Sequence, residues 1–264
     1  MKRLASAAVL LPLLILFILK SPPVWFDILI AVVAAIGLDE FYRMTLPERR
    51  SEGWSAAVVG ALALFTIPFA DGMLSLFALT AAVLGFSLVG LFRLKDIAQA
   101  ASESAFIFMG FLYVPLLLAH LILLRVEPHG VAWIFLMMVI VMSGDSAAYY
   151  VGSSFGRTKL YPAVSPKKSV EGSLGGLAGS VIGALVFRAL FFAELTIVDA
   201  VAVALLCGVL GQLGDLFESL IKRSCGVKDS GTLIPGHGGI LDRLDSILFA
   251  APAVFYYAYF VFAG

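Results

Sequence analysis

Residues 130–151 read GVAWIFLMMVIVMSGDSAAYYV, an apolar run with one carboxylate, Asp145, inside it. About 20 such residues, rising roughly 1.5 Å each as a helix, cross the hydrocarbon core of a bilayer. Runs of this kind recur along the chain, near 4–20, 24–44, 54–71, 73–93, 105–124, 130–151, 174–195, 199–222 and 244–263. The chain has 264 residues, is 61% hydrophobic and only 14% charged, too little polar surface for a soluble domain of this length. The expectation is an all-α polytopic membrane protein of about nine transmembrane helices. The third and fourth runs are separated only by Ala70-Asp71-Gly72 and should form a tight helical hairpin.

Charge placement orients these spans. With a cytoplasmic N-terminus, 15 of the 18 Lys and Arg residues fall in cytoplasmic segments, and only Lys20, Arg125 and Arg188 lie elsewhere. That bias obeys the positive-inside rule and puts the C-terminus outside. Met1-Lys2-Arg3 before the first apolar run resembles a signal peptide, but Lys20-Ser21-Pro22-Pro23 offers no cleavage site, so an uncleaved first span is expected. The formal net charge is zero, which gives no electrostatic reason to expect a nucleic-acid partner. Cys207 and Cys225 form neither a disulfide framework nor a metal-ligand spacing. The longest polar loops, 152–173 and 223–243, are both cytoplasmic in this topology. The chain is expected to divide into residues 1–125, N-terminal and middle helices that serve packing, and residues 126–264, a transmembrane region with the two cytoplasmic loops, where any chemistry would lie.

Carboxylates sit in or against several spans: Asp39-Glu40, Asp145, Asp215 with Glu218, and Asp242 with Asp245. Asp145 and Asp215 lie six or seven residues before their helices exit, about 10 Å below the cytoplasmic surface. The members of each i,i+3 pair, Asp215 and Glu218 or Asp242 and Asp245, share a helix face. Acids at similar depth repel unless a cation joins them, and clustered carboxylate oxygens suit Mg2+. Asp215, Asp242 and Asp245 are the candidate cation ligands. Glu218 fits either that site or an ion pair with Lys222 at i+4. Gly208, Gly211 and Gly214 leave one face of the eighth helix bare for close packing, which would let Asp215 approach a neighbour.

Two loops look built for phosphate. Residues 165–172, SPKKSVEG, set Lys167 and Lys168 ahead of Gly175 and Gly176 at the mouth of the seventh helix, where free amides could meet an anion. An ordinary basic loop touching anionic lipid is the other reading. In Gly236-His237-Gly238-Gly239, three glycines around a histidine let backbone approach a ligand closely, with His237 as a phosphate donor or a structural cap.

The stretch from Ser219 to Asp245, SLIKRSCGVKDSGTLIPGHGGILDRLD, resembles the signature of the phosphatidate cytidylyltransferases (CDP-diacylglycerol synthases), with no departure across its length. Asp145-x-x-Ala148-Tyr149-x-x-Gly152-x-x-Phe155-Gly156-Arg157 and the SPKKSVEG segment resemble the family too, although many members carry Thr at Ser169 and some Trp at Val170. The resemblance covers roughly the C-terminal half.

The resemblance implies that CTP and phosphatidic acid react to CDP-diacylglycerol and pyrophosphate with Mg2+, alone or with a second cation. It implies catalytic roles for Asp145, Lys167, Lys168, Lys222, Arg223, Lys228, His237 and Arg243, with Asp215, Asp242 and Asp245 on the metal. Glu171, Asp229, Gly238 and Gly239 join those bases and His237 as substrate-binding residues. It further implies a homodimer and, with the missing outer domain, a bacterial cytoplasmic (inner) membrane whose lipid is the enzyme's medium. A cation-coupled transporter would also need intramembrane acids, but here they cluster on one side and no charges line a path to the other. CDP-alcohol transferases space their aspartates four apart, whereas Asp242 and Asp245 are three apart.

Overall fold

The computed structural model describes residues 12–49, 54–55, 58–59, 72–92, 97–233 and 238–262, and these are mostly helical. A helix over 12–20 (α1) is followed by α2 (Pro23–Thr45), α3 (Gly72–Phe92), α4 (Ile97–Val126), α5 (Gly130–Phe155), α6 (Val170–Phe191), α7 (Ile197–Ser224) and α8 (Leu241–Phe260). Among the described residues, four of these, α4 to α7, are long and apolar enough to cross a membrane. They fall on the expected runs 105–124, 130–151, 174–195 and 199–222. The expected runs 24–44, 73–93 and 244–263 are helical as α2, α3 and α8. Most of 54–71, with the hairpin at Ala70-Asp71, lies outside the described residues, and 4–20 is described only from residue 12.

The all-α expectation needs one correction. Between α5 and α6 the chain forms an antiparallel hairpin of β1 (Lys159–Tyr161) and β2 (Ser165–Ser169), pairing Lys159 with Ser169 and Tyr161 with Ser165. Its turn closes through Val164 N donating to Tyr161 O at 3.2 Å, and buried Val164 pins it. Pro162 fits that turn because its fixed φ and missing N–H suit the chain reversal. The loop expected over 152–173 is therefore largely ordered structure.

Helix ends follow local chemistry. Pro23 opens α2, where a missing amide costs nothing. Ser169 Oγ accepts from Gly172 N at the start of α6, and Thr196 Oγ1 accepts from Asp199 N at the start of α7, each at 3.1 Å. His129, with φ 58°, turns the chain from α4 into α5; a Cβ on the next residue, Gly130, would overlap the carbonyls of Leu124 and Arg125. Within α4 the ladder widens to a π-helical turn at Leu112–Leu116, which absorbs the amide missing at Pro115.

The described chain forms two compact units: residues 1–123 with 229–242, and residues 124–228 with 243–264. In the first, Phe41, Tyr42 and Tyr113 pack together, and Tyr42 donates its hydroxyl to Ile107 O at 2.7 Å. In the second, α5 and α6 meet through small residues. Ser180 Oγ donates to Ile140 O at 3.0 Å and fills the space above Gly144. An aromatic cluster of His129, Trp133, Phe192 and Phe262 closes one end of this unit. Leu174, Ile182, Val186, Leu190 and Phe191 of α6 are exposed. Apolar surface of that extent needs lipid rather than water around it.

Candidate active site

Each unit holds one dense polar constellation. In the second, a cavity of about 450 Å3 is lined by Asp145 and Tyr149 of α5, Lys167 and Lys168 of β2, Ser173 of α6, and Gln212 and Asp215 of α7. Ser169 ends β2 and caps α6 at once, which fixes where the two lysines stand. Lys168 Nζ lies 2.5 Å from Asp215 Oδ2. Asp145 is near enough to Asp215 to repel it, and is drawn to Lys168 and Arg243. Asp245, in the first turns of α8, interacts with Asp215 and Asp145 as like charges and with Lys222 as an opposite one. Three acids on three helices thus act on one another at one place. Gly214 permits it: a Cβ there would overlap the carbonyl oxygen of Asp245, so α7 and α8 touch backbone to side-chain-free backbone.

The other candidates in this unit have defined partners or open positions. Glu218 is fully buried and its Oε1 lies 3.1 Å from Lys222 Nζ, the i,i+4 ion pair. Arg223 Nη1 donates to Val227 O at 3.1 Å, closing the end of α7. Glu171 accepts from Arg157 N at 3.1 Å and from Thr158 N at 3.1 and 3.2 Å, so its carboxylate ties down the chain entering β1. Lys167, Lys228 and Arg243 are exposed. The mouth of α6 is not where its glycines suggested. The helix starts at Val170, so Gly175 and Gly176 lie inside it, and Cβ atoms there would strike Val151 and Ala148. They serve close helix packing, not amide exposure.

In the first unit, Asp242 Oδ2 accepts from Ser230 N and Gly239 N at 2.9 Å each and lies 3.0 Å from Ser230 Oγ. Gly238, with φ 84°, supplies the left-handed turn that aims the Gly239 amide at that oxygen. Glu40 of α2 joins the same group, accepting from Ile240 N and Leu241 N. Asp229 is exposed at the start of this segment. His237, the expected phosphate donor, lies outside the described residues.

Sequence reasoning passed over Gln212, Ser173 and Ser230. Gln212 Nε2 donates to Ser173 O at 3.1 Å, and the Ser173 hydroxyl meets Gln212 Oε1. A primary amide amid the apolar residues of α7 was the available signal, because polar groups in a span are costly unless used.

Among the described residues, no three His, Cys, Asp or Glu side chains form a ready-made metal cage. Mg2+ needs none, since it takes one or two carboxylates and completes its shell with water and substrate phosphate. Asp145, Asp215 and Asp245 are hard oxygen donors whose mutual repulsion calls for a cation, and Lys168 already answers it in part. Carboxylate oxygen is the donor chemistry that Mg2+ takes, so Asp215 with one neighbouring acid fits it.

Apolar helices that carry exposed hydrocarbon outward, and acids and lysines around a cavity, define an integral membrane protein with a polar site. The chain matches the cytidylyltransferase family over residues 1–261 and belongs to it; it is a nucleotidyltransferase. It is 35% identical to a phosphatidate cytidylyltransferase of Bacillus subtilis (strain 168) over 97% of each chain. It is 33% identical to one of Staphylococcus aureus (strain COL) over 84% of this chain and 85% of that protein. Identity to one of Staphylococcus saprophyticus is 38% over 61% of this chain and 58% of that protein.

Proposed function

We propose that the protein transfers the cytidylyl group of CTP to phosphatidic acid, giving CDP-diacylglycerol and pyrophosphate for phospholipid synthesis. The observation that supports it most is the cavity where Lys168 meets Asp215 beside Asp145, in a chain that matches phosphatidate cytidylyltransferases nearly end to end. A lipid phosphate oxygen attacks the α-phosphorus of CTP in line. The bond from that phosphorus to the bridging oxygen breaks, and pyrophosphate carries the electron pair away. The attacking monoester has a second pKa of about 6, so it is largely dianionic and needs no strong general base.

The difficulty is electrostatic, because one polyanion must approach another. Asp215, with Asp245 or Asp145 as a second carboxylate, would hold Mg2+, which would supply charge neutralisation at the transferring phosphoryl group. Lys167 and Lys168 at the cavity, with Arg243 and Lys228, neutralise the triphosphate and the lipid phosphate. Lys222 and Arg223 set the end of α7 and the local positive field. Asp242, expected on the metal, also accepts from the amides of Ser230 and Gly239, and His237, Gly238 and Gly239 are the candidate substrate-binding residues of that loop. The topology that serves this chemistry has nine spans, a cytoplasmic N-terminus, and the site facing the cytoplasm of a bacterial inner membrane, with two copies forming a homodimer.

The test is label transfer by detergent-purified protein given phosphatidic acid and Mg2+. Phosphate label at the α position of CTP should enter the lipid phase, while label at the γ position should stay aqueous as pyrophosphate. Absence of α label from the lipid, in folded protein, would refute the reading.

A further inference from the structure

The geometry points to Glu40 as a positioning residue for the reaction, acting from α2 through Ser230 on Asp242. The inference rests on the cytidylyltransferase reading and adds a residue that lies outside the signature stretch.

Glu40 is 4% exposed, so its carboxylate must be satisfied from within the protein. Oε1 accepts from Ile240 N at 3.0 Å, and Oε2 accepts from Leu241 N at 2.9 Å. These amides stand at the start of α8, where a helix lacks partners for its first N–H groups. Ile240, immediately before the helix, has no side chain able to accept them. Glu40 supplies that cap from 200 residues away in sequence.

Ser230 extends the arrangement to Asp242. Its Oγ is 3.0 Å from Glu40 Oε2 and 3.0 Å from Asp242 Oδ2, and it accepts from Asp242 N at 3.3 Å. One hydroxyl proton serves one carboxylate at a time, so the position of each acid depends on the other. Two signature glycines leave room for this. A Cβ on Gly231 would sit 2.6 Å from Glu40 Oε1, and one on Gly239 would overlap Glu40 Oε2 and Ser230 Oγ. Their bareness admits Glu40. The carboxylate so fixed is that of Asp242, inside the signature stretch, and an error of about 1 Å in a group that positions substrate can cost on the order of 100-fold in rate.

The test compares Glu40→Gln, Ser230→Ala, their combination, and Leu118→Ala, by steady-state cytidylyl transfer and thermal midpoint in detergent. Leu118 is fully buried in the same unit and outside this network. Its truncation should lower the midpoint and leave kcat per folded molecule unchanged, marking what mere destabilisation does. Glu40→Gln, which keeps the shape but puts an NH2 against donors, should lower kcat about 100-fold, with a smaller change in KM for CTP. Glu40→Gln with Ser230→Ala should lose no more than the worse single variant, because both break one chain of contacts. Wild-type kcat in Glu40→Gln, or losses that multiply in the double variant, would overturn the inference. Failure of the cytidylyltransferase reading is separate: the wild-type protein itself would form no lipid product.

Discussion

Lys168 Nζ stands 2.5 Å from Asp215 Oδ2, a base from the hairpin closed on an acid from the middle of α7. In the sequence these residues read as serving different partners, the lysine a phosphate and the aspartate a cation. Their pairing makes the two roles interdependent. A triphosphate that recruits Lys168 must draw it from Asp215, and the carboxylate is then left to a cation.

Lys168→Met should therefore weaken CTP binding, since a hydrogen bond to a charged group contributes about 1.5–3 kcal/mol. The expected result is a KM for CTP raised at least about 10-fold, with Lys168→Arg less affected. Initial rates with CTP varied at saturating lipid measure it, and an unchanged KM in Lys168→Met would remove Lys168 from the nucleotide site.

Asp242→Asn removes a charge and puts an amide where Oδ2 meets two backbone N–H groups. Turnover should fall at least about 100-fold at saturating Mg2+, while the protein stays folded in detergent. Parallel activity and thermal melts check this. Substantial turnover would show that the loop functions without that carboxylate.

The glycine stripe of α7 should respond unevenly. At Gly214 a Cβ meets the backbone carbonyl of Asp245, which cannot yield without moving α8. Gly214→Ala should cost about 1–3 kcal/mol and lower kcat as Asp245 shifts. At Gly208 the nearest atoms are the end of Leu177, at 3.0 Å, and Ser180 Oγ at 3.2 Å, which can rotate. Gly208→Ala should be close to neutral in the same denaturation assay.

Glu171 should act on order rather than chemistry. Glu171→Ala frees the amides of Arg157 and Thr158, so hydrogen exchange at those positions should quicken while the α6 interior keeps its protection. Unchanged exchange would mean the carboxylate is not what holds the entry to β1.

The helices from α4 to α7 were legible because about 20 apolar residues leave little alternative to a span. Their polar residues were legible as anomalies: Asp145, Lys168 and Asp215 share one cavity. What the sequence hid depends on distance along the chain. Asp39 and Glu40 read alike, yet Asp39 pairs with Arg43 on its own helix while Glu40 is buried against residues some 200 positions later. The hairpin at 159–169 was hidden by its lysines and prolines, which suit a loop as well as a short strand pair. Gly175 and Gly176 misled because a glycine that lets helices touch looks the same as one that opens a helix end.

The most direct measurement is transfer of α-phosphate label from CTP into phosphatidic acid by wild-type protein and Asp215→Asn side by side, in detergent with saturating Mg2+ and with ATP as nucleotide control. Lipid-soluble label is expected from CTP alone with the wild type, and about 1% of that rate or less in the variant. Equal transfer by both proteins would contradict this and place the chemistry away from the Asp145, Asp215 and Lys168 cavity.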